Sequence, residues 1–212
     1  MPEANPVHEI DHPLLACLLS EARDRGTSTP RFRQLLANAG MLLAYEATRD
    51  LATEPKAVTT PLESGSGVKP ARPTTIVPIL RAGLALAESM HRIVPAARTG
   101  HIGLFRDETS LQPVSYYDKL PTDIAAGPVL LVDPMLATGG SVVAAVDLLK
   151  RHHCDDVRFV CLLAAPEGVD RLRDEHPDVS IYTAAIDREL DHRGFILPGL
   201  GDAGDRAFGT VG

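Results

Sequence analysis

The chain has 212 residues, 44% hydrophobic and 23% charged, a balance that suits one folded domain with appendages and excludes a disordered chain. A net charge of −7, with 4% aromatic residues and no tryptophan, argues against a nucleic-acid partner, which calls for a basic face and stacking platforms. Cys17, Cys154 and Cys161 are odd in number and lack metal-ligand spacing, so they read as idle thiols in a reducing compartment. The polar, Pro-broken start "MPEANPVHEIDHP" fits neither a secretion signal nor a transit peptide, and no apolar run approaches the roughly 20 residues of a membrane span. The expectation is a soluble, cytoplasmic protein with no membrane partner.

In chain order, apolar residues spaced at three and four predict helices over residues 12–25 and 31–52. In the second, Phe32, Leu35, Leu36, Ala39, Leu42, Leu43 and Ala47 form the apolar face, and Pro30 after Ser28 and Thr29 marks its start. Residues 53–73 hold a Pro/Gly/Ser-rich stretch too polar for core, either a hairpin or a plain loop. From residue 74 apolar runs alternate with amphipathic ones. "TIVPIL" (75–80) predicts a strand and "GLALAESMHRIV" (83–94) a helix stopped by Pro95. Residues 101–107 predict a strand, and "VSYYDKL" (114–120) a polar edge strand or flap. Strands are further predicted over 128–133, 157–165 and 179–186, with helices over 141–152 and 167–176. This alternation predicts an α/β fold, a mostly parallel central sheet flanked by helices. Ligands of such sheets gather at the carboxyl ends of the strands, where Arg81, Arg106 and Asp133 stand.

The stretch "LLVDPMLATGGSVVAAVDLLK" (130–150) sets an acid and a run of small residues between a buried strand and a helix. Helix N-termini present unpaired amides and partial positive charge, glycines let the backbone approach closely, and Thr138 and Ser141 add hydroxyl donors. Ala137, Thr138, Gly139, Gly140 and Ser141 therefore suit a phosphate. A plain N-cap at Ser141 is the alternative, but a cap needs one such residue and not a run. There is no Gly-Lys-Ser/Thr, so this is not the loop that binds nucleoside triphosphates. Asp133, which would repel polyphosphate, accepts hydrogen bonds from sugar hydroxyls instead, and the pair suggests a ribose 5-phosphate moiety.

"VDPMLATGGS" resembles the phosphoribosyl-pyrophosphate loop of the type I phosphoribosyltransferases, in the single-acid form of the uracil phosphoribosyltransferases. The resemblance continues through "RFRQL", "LLAYEATRDL", "VPILRAGL", "FRDE", "APEG", "YTAAID" and "GFILPGLGDAGDRAFGT", and is weakest over 53–73. It implies one phosphoribosyltransferase domain over 1–212: N-terminal helices over 1–52, an α/β core over 74–190 with a flap at 107–121, and a C-terminal hood over 191–212 that binds the base. It implies transfer of phosphoribose from phosphoribosyl pyrophosphate (PRPP) to uracil, giving UMP and diphosphate.

By the same resemblance Asp133, Pro134, Met135, Leu136, Ala137, Thr138, Gly139, Gly140 and Ser141 bind PRPP, with Asp133 on the ribose hydroxyls. Arg81 and Arg106 face the diphosphate, as guanidinium forks would. For either arginine a surface ion pair is the plainer reading, Arg106 having Asp107 or Glu108 beside it. Ile196, Gly201, Asp202 and Ala203 contact uracil; Asp202 also meets PRPP and is a candidate base for N1. Mg²⁺ is expected as cofactor, carried mainly by substrate and water and not by a dedicated cage of carboxylates. Tyr117 and Lys119 of the flap would close on substrate, or simply belong to an exposed edge hairpin. GTP as an effector and a homo-oligomeric assembly complete the implied properties.

Two short patterns mislead. Gly199 to Gly204 fits G-x-G-x-x-G, yet only eight residues follow, too few for a dinucleotide-binding unit. His8-Glu9-Ile10-Asp11-His12 fits the zinc-protease pattern, which needs a helix and a third ligand, whereas prolines flank it here. The remaining rivals are a transferase for another base and a PRPP-sensing regulator without chemistry.

Overall fold

Fully apolar runs become strands buried on both faces, and runs with apolar residues at three and four become the helices that cover them. The structure is a computed structural model and describes residues 5–106 and 113–210. The first half comprises β1 (Val7–Glu9), α1 (Pro13–Arg23), α2 (Thr29–Ala47), β2 (Thr53–Thr59), β3 (Ser64–Pro70), β4 (Thr75–Leu80) and α3 (Gly83–Ala87). Then come β5 (Arg98–Thr99), β6 (His101–Arg106), β7 (Pro113–Lys119), β8 (Val129–Val132), β9 (Met135–Leu136) and α4 (Gly140–Arg151). The last part holds β10 (Val157–Val160), β11 (Leu163–Ala164), α5 (Pro166–Glu175), β12 (Ser180–Thr183) and β13 (Ala185–Ile186). It closes on β14 (Glu189–Leu190), β15 (Ile196–Leu197) and α6 (Ala203–Phe208).

The main sheet runs β1-β12-β10-β8-β4-β6-β7, with β5 beside β4. Its pairings are parallel except β6 with β7, which are antiparallel. Side chains alternate across it. Leu130 and Val132 of β8 join Ile76 and the apolar faces of α1, α2 and α3, while Val129 and Leu131 join Val77, Phe159 and the faces of α4 and α5. This is the α/β sheet flanked by helices that the alternation predicts. Each parallel strand also carries its carboxyl end to one edge, and β8, β4 and β6 are neighbours there.

Several boundaries differ from the sequence-based expectation. The runs 157–165 and 179–186 are not single strands: each breaks, and β11 and β13 resume beside β9 as a separate three-stranded sheet. Pro134 is the physical reason. It breaks β8 from β9, and its carbonyl accepts from both Leu162 (3.0 Å) and Leu163 (3.1 Å), which offsets the neighbouring ladder. The helix expected to reach residue 52 ends at Ala47, where Thr48 turns its hydroxyl back to the Ala44 carbonyl at 2.7 Å. The helix expected over 83–94 is α only to Ala87 and continues as a 3₁₀ turn over Glu88–Arg92, where the Ser89 hydroxyl donates to the Leu86 carbonyl. Residues 53–70 form the antiparallel β2–β3 hairpin. Strand β1 was not expected at all. It pairs with β12 in register His8↔Tyr182, and the two rings stack at 4.5 Å. His12 instead caps α1, accepting from the Leu14 N–H at 3.1 Å, so no helix presents the two histidines together.

Candidate active site

At the carboxyl edge, β8 ends at Val132 and α4 begins at Gly140. Gly139 takes φ +76°, a conformation that favours glycine, and starts α4 at Gly140 with no side chain capping it. The Ser141 N-cap is thus not what the loop is for; Ser141 lies inside the helix's first turn, exposed. The amides of that turn have no intrahelical partner and point outward with the positive end of the helix dipole.

A cavity of about 230 Å³ opens beside this loop. It brings Asp133, Met135 and Ala137 of the loop together with Ile196, Gly201, Asp202 and Ala203, some 60 residues on in sequence by the difference between 137 and 196. Thr138, Gly139, Gly140 and Ser141 adjoin it through Ala137 but do not line it. Pro134 and Leu136 turn into the protein, Leu136 with no exposure, so their side chains shape the loop and do not face the cavity. Asp133 is partly buried and accepts from the Met135 N–H at 3.3 Å. Burial pushes its carboxyl up to about 7, the Met135 amide opposes this, and the nearby Asp202 charge adds to it. A carboxyl pushed toward neutrality in a cleft is a candidate functional position.

Asp202 caps α6, accepting from the Asp205 N–H at 2.8 Å through Oδ1. Asp205 in turn meets Arg81, which follows β4 and is joined to Leu80 by a cis peptide bond. That ion pair is long, 3.4 Å, and exposed, with the Arg81 guanidinium 6.0 Å from the Phe208 ring. It is worth under about 1 kcal/mol, so an anion arriving at the edge displaces it cheaply. Arg81 thus makes the surface pair that the plainer reading allowed, while Ala82 next to it lines the cavity. The backbone of Arg106 closes β6 on the neighbouring strand; its side chain, with residues 107–112 of the expected flap, lies outside the described residues. Tyr117 and Lys119 stand exposed on the edge strand β7, opposite Gly103 and His101, and neither lines the cavity.

Two supports escaped sequence reasoning. Gly168 on α5 presses on the loop: a Cβ there would lie 2.4 Å from the Ala137 carbonyl oxygen. Three residues on, Arg171 donates to the Thr138 carbonyl at 3.4 Å, and its Nη1 lies 3.3 Å from where a Gly140 Cβ would stand. "APEG" carries the first of these; nothing in the pattern singles out Arg171. Burial pushes the Cys154 thiol up to about 11 and the Cys161 thiol up to about 12, so both stay protonated near neutrality. Among the described residues no group of three or more His, Cys, Asp or Glu side chains is arranged to hold a metal. Among the described residues no helix is long and apolar enough to cross a membrane.

The family model for uracil phosphoribosyltransferase matches residues 9–210. The uracil phosphoribosyltransferase of Dictyoglomus turgidum is 53% identical over 202 residues, 95% of this chain and 98% of that protein. That of Acidovorax ebreus is 54% identical over 205 residues, 96% and 98% of the two chains. A solved structure of an Aquifex aeolicus protein superposes with a TM-score of 0.91 at 36% identity, covering 96% of this chain and 98% of the other. A hypoxanthine-guanine phosphoribosyltransferase from Bacillus anthracis, at TM-score 0.51 and 14% identity over 75% of this chain and 80% of that one, shares the fold alone. With Asp133, the loop into α4 and residues 196–203 meeting at one cavity, and a match of this length, the chain belongs to the uracil phosphoribosyltransferase family.

Proposed function

We propose that the protein transfers the 5-phosphoribosyl group of PRPP to N1 of uracil, releasing UMP and diphosphate. The observation that carries this reading is the single cavity shared by Asp133 of the phosphate loop and Gly201-Asp202-Ala203 of the hood, which is what a two-substrate transfer requires. The 5-phosphate takes the amides of the α4 N-terminus and the Thr138 and Ser141 hydroxyls. The ribose hydroxyls donate to Asp133. Ionising this acid, which burial disfavours, becomes favourable once two donors reach it.

Uracil presents acceptors at O2 and O4 and a donor at N3. The backbone near Ile196 and Gly201–Ala203 offers amides and carbonyls to match, and cytosine would leave some of them unpaired. As N1 bonds to the anomeric carbon, the bond from that carbon to the diphosphate oxygen breaks with both electrons leaving on oxygen. Arg81, freed from Asp205, and Arg106 meet the growing negative charge as preorganised electrostatics. Asp202 spends Oδ1 on the helix cap, and its second oxygen is the acceptor we assign to the N1 proton.

Two carboxylates at one cavity and no closed cage suit Mg²⁺ that keeps substrate oxygens and waters as ligands, with Asp133 and Asp202 nearest. Bound there, Mg²⁺ would neutralise diphosphate charge. Family resemblance alone carries GTP as an effector and a cytoplasmic setting. A homo-oligomer is further supported by the β2–β3 hairpin, which holds Leu62 at 95% exposure and Val68 at 71%, since a two-stranded hairpin is marginal when nothing covers it. The test of function is nucleotide formation from PRPP and Mg²⁺ with uracil, cytosine, guanine or orotate as acceptor. Product with uracil only is expected. Product with another base, or PRPP bound and never consumed, would overturn it.

A further inference from the structure

The base loop is held by residues that never enter the cavity. Gly199 is buried, has φ +62°, and could carry no side chain: a Cβ would lie 2.0 Å from the Ile196 carbonyl oxygen. Its N–H and C=O both need partners away from water. One partly buried ion pair supplies both. Asp187, 9% exposed, accepts the Gly199 N–H on Oδ2 at 2.8 Å, and Arg23 donates from Nη1 to the Gly199 carbonyl at 2.8 Å. The two side chains also grip one another as a fork, Nη1 to Oδ2 at 2.7 Å and Nη2 to Oδ1 at 2.6 Å. Arg23 sits on the last turn of α1, anchored through Leu15, Leu19 and Ala22 in the core. Asp187 follows β13, its N–H bound to the Ala164 carbonyl at 2.8 Å. The pair thus pins Gly199 to two rigid elements at once. Gly199 lies three residues after Ile196 and two before Gly201.

We propose that Arg23 and Asp187 are positioning residues for the nucleobase: they set the register of the loop's amides and carbonyls and thereby govern affinity and selectivity for the pyrimidine. This rests on the reading that residues 196–203 take the base. The physics is that of alignment, since a displacement of about 1 Å misaligns hydrogen bonds enough to cost large factors in rate. Lysine at position 23 would keep the charge yet lose the planar fork.

The test is steady-state kinetics of D187N and R23K in both substrates, with cytosine as competing ligand and with melting temperatures recorded. Expected for D187N is a rise of about tenfold or more in KM for uracil, KM for PRPP within twofold, and weaker discrimination against cytosine. R23K should give an intermediate rise of about threefold, and it decides the matter if D187N does not fold. An unchanged KM for uracil in the folded variants, or KM values for both substrates rising by the same factor, would overturn the proposal. Gly201→Ala, strained at φ +77°, separates the two layers of inference. If it raises KM for uracil while D187N does not, the base reading stands and the positioning role fails. If it leaves KM for uracil unchanged, the base reading itself fails.

Discussion

The proposed phosphate loop, residues 133–141, and the proposed base loop, residues 196–203, meet at one cavity but are built in opposite ways. Residues 133–141 are consecutive, and their shape follows largely from their own chemistry: a proline that ends β8, a glycine at φ +76°, and a helix that offers its own amides. The base loop has no such autonomy. Its Gly199 is held from Arg23, 176 residues away, and Arg206 ties the Leu200 carbonyl (2.7 Å) to that of Ala22 (2.6 Å), 184 residues away, while lying over the Phe32 ring at 4.3 Å. Holding an anion needs only oriented amides, which one helix end provides. Telling one pyrimidine from another needs donors and acceptors fixed to a fraction of an ångström, which takes supports from several elements.

If the two loops are independent, substitutions in one should move the constants of one substrate. The largest effect is expected from D133N, a loss of about 100-fold or more in kcat/KM for PRPP, since charge-assisted hydrogen bonds of about 1.5–3 kcal/mol each are weakened. The same change should raise the melting temperature at pH 8. The folded-state pKa of about 7 lies above the ordinary value of 3.8, so the stability linked to the protonated acid is complete below pH 3.8 and lost as pH rises through 7. Asparagine removes that loss, so its advantage should shrink toward pH 4. A melting temperature unmoved at pH 8 would mean that Asp133 is not strained. R81A should come next, lowering turnover by well over tenfold without a fall in melting temperature, because its pair with Asp205 is exposed. Wild-type turnover in that variant would remove Arg81 from the mechanism.

Substitution of Gly199 by alanine should raise KM for uracil about tenfold and leave KM for PRPP unchanged, at a cost in stability of about 1–3 kcal/mol from the forced backbone shift. An equal rise in both constants would break the separation between the loops. The smallest effect should come from R171A, a two- to threefold rise in KM for PRPP relative to wild type that shrinks with added salt, as expected for a single exposed cation near a phosphate. No change at any salt would leave Arg171 a strut between α5 and the loop.

The sequence was most legible where structure is local. "TIVPIL" is strand β4 to the residue, and "ATGGS" opens α4 as its small residues require. It was least legible where a partner decides. Nothing in "VHE" marks a strand until β12 arrives to pair with it. "VRFVCLLAA" reads as one apolar run because periodicity does not register a break imposed by Pro134, which lies between β8 and β9. The resemblance singled out Asp202, which lines the cavity, but its bond as the cap of α6 was not legible, since α6 is a six-residue helix that leans on α2 and was not anticipated.

Composition and the alternation of buried and amphipathic runs were enough by themselves to determine the fold class, and the acid followed by small residues to single out the loop into α4, because each depends on neighbours within a few residues. The cavity, the raised pKa of Asp133 and the clamp on Gly199 were decided only when the chain folded. Burial, charge proximity and the satisfaction of buried backbone groups are properties of what lies nearby in space. A one-dimensional pattern carries no term for them.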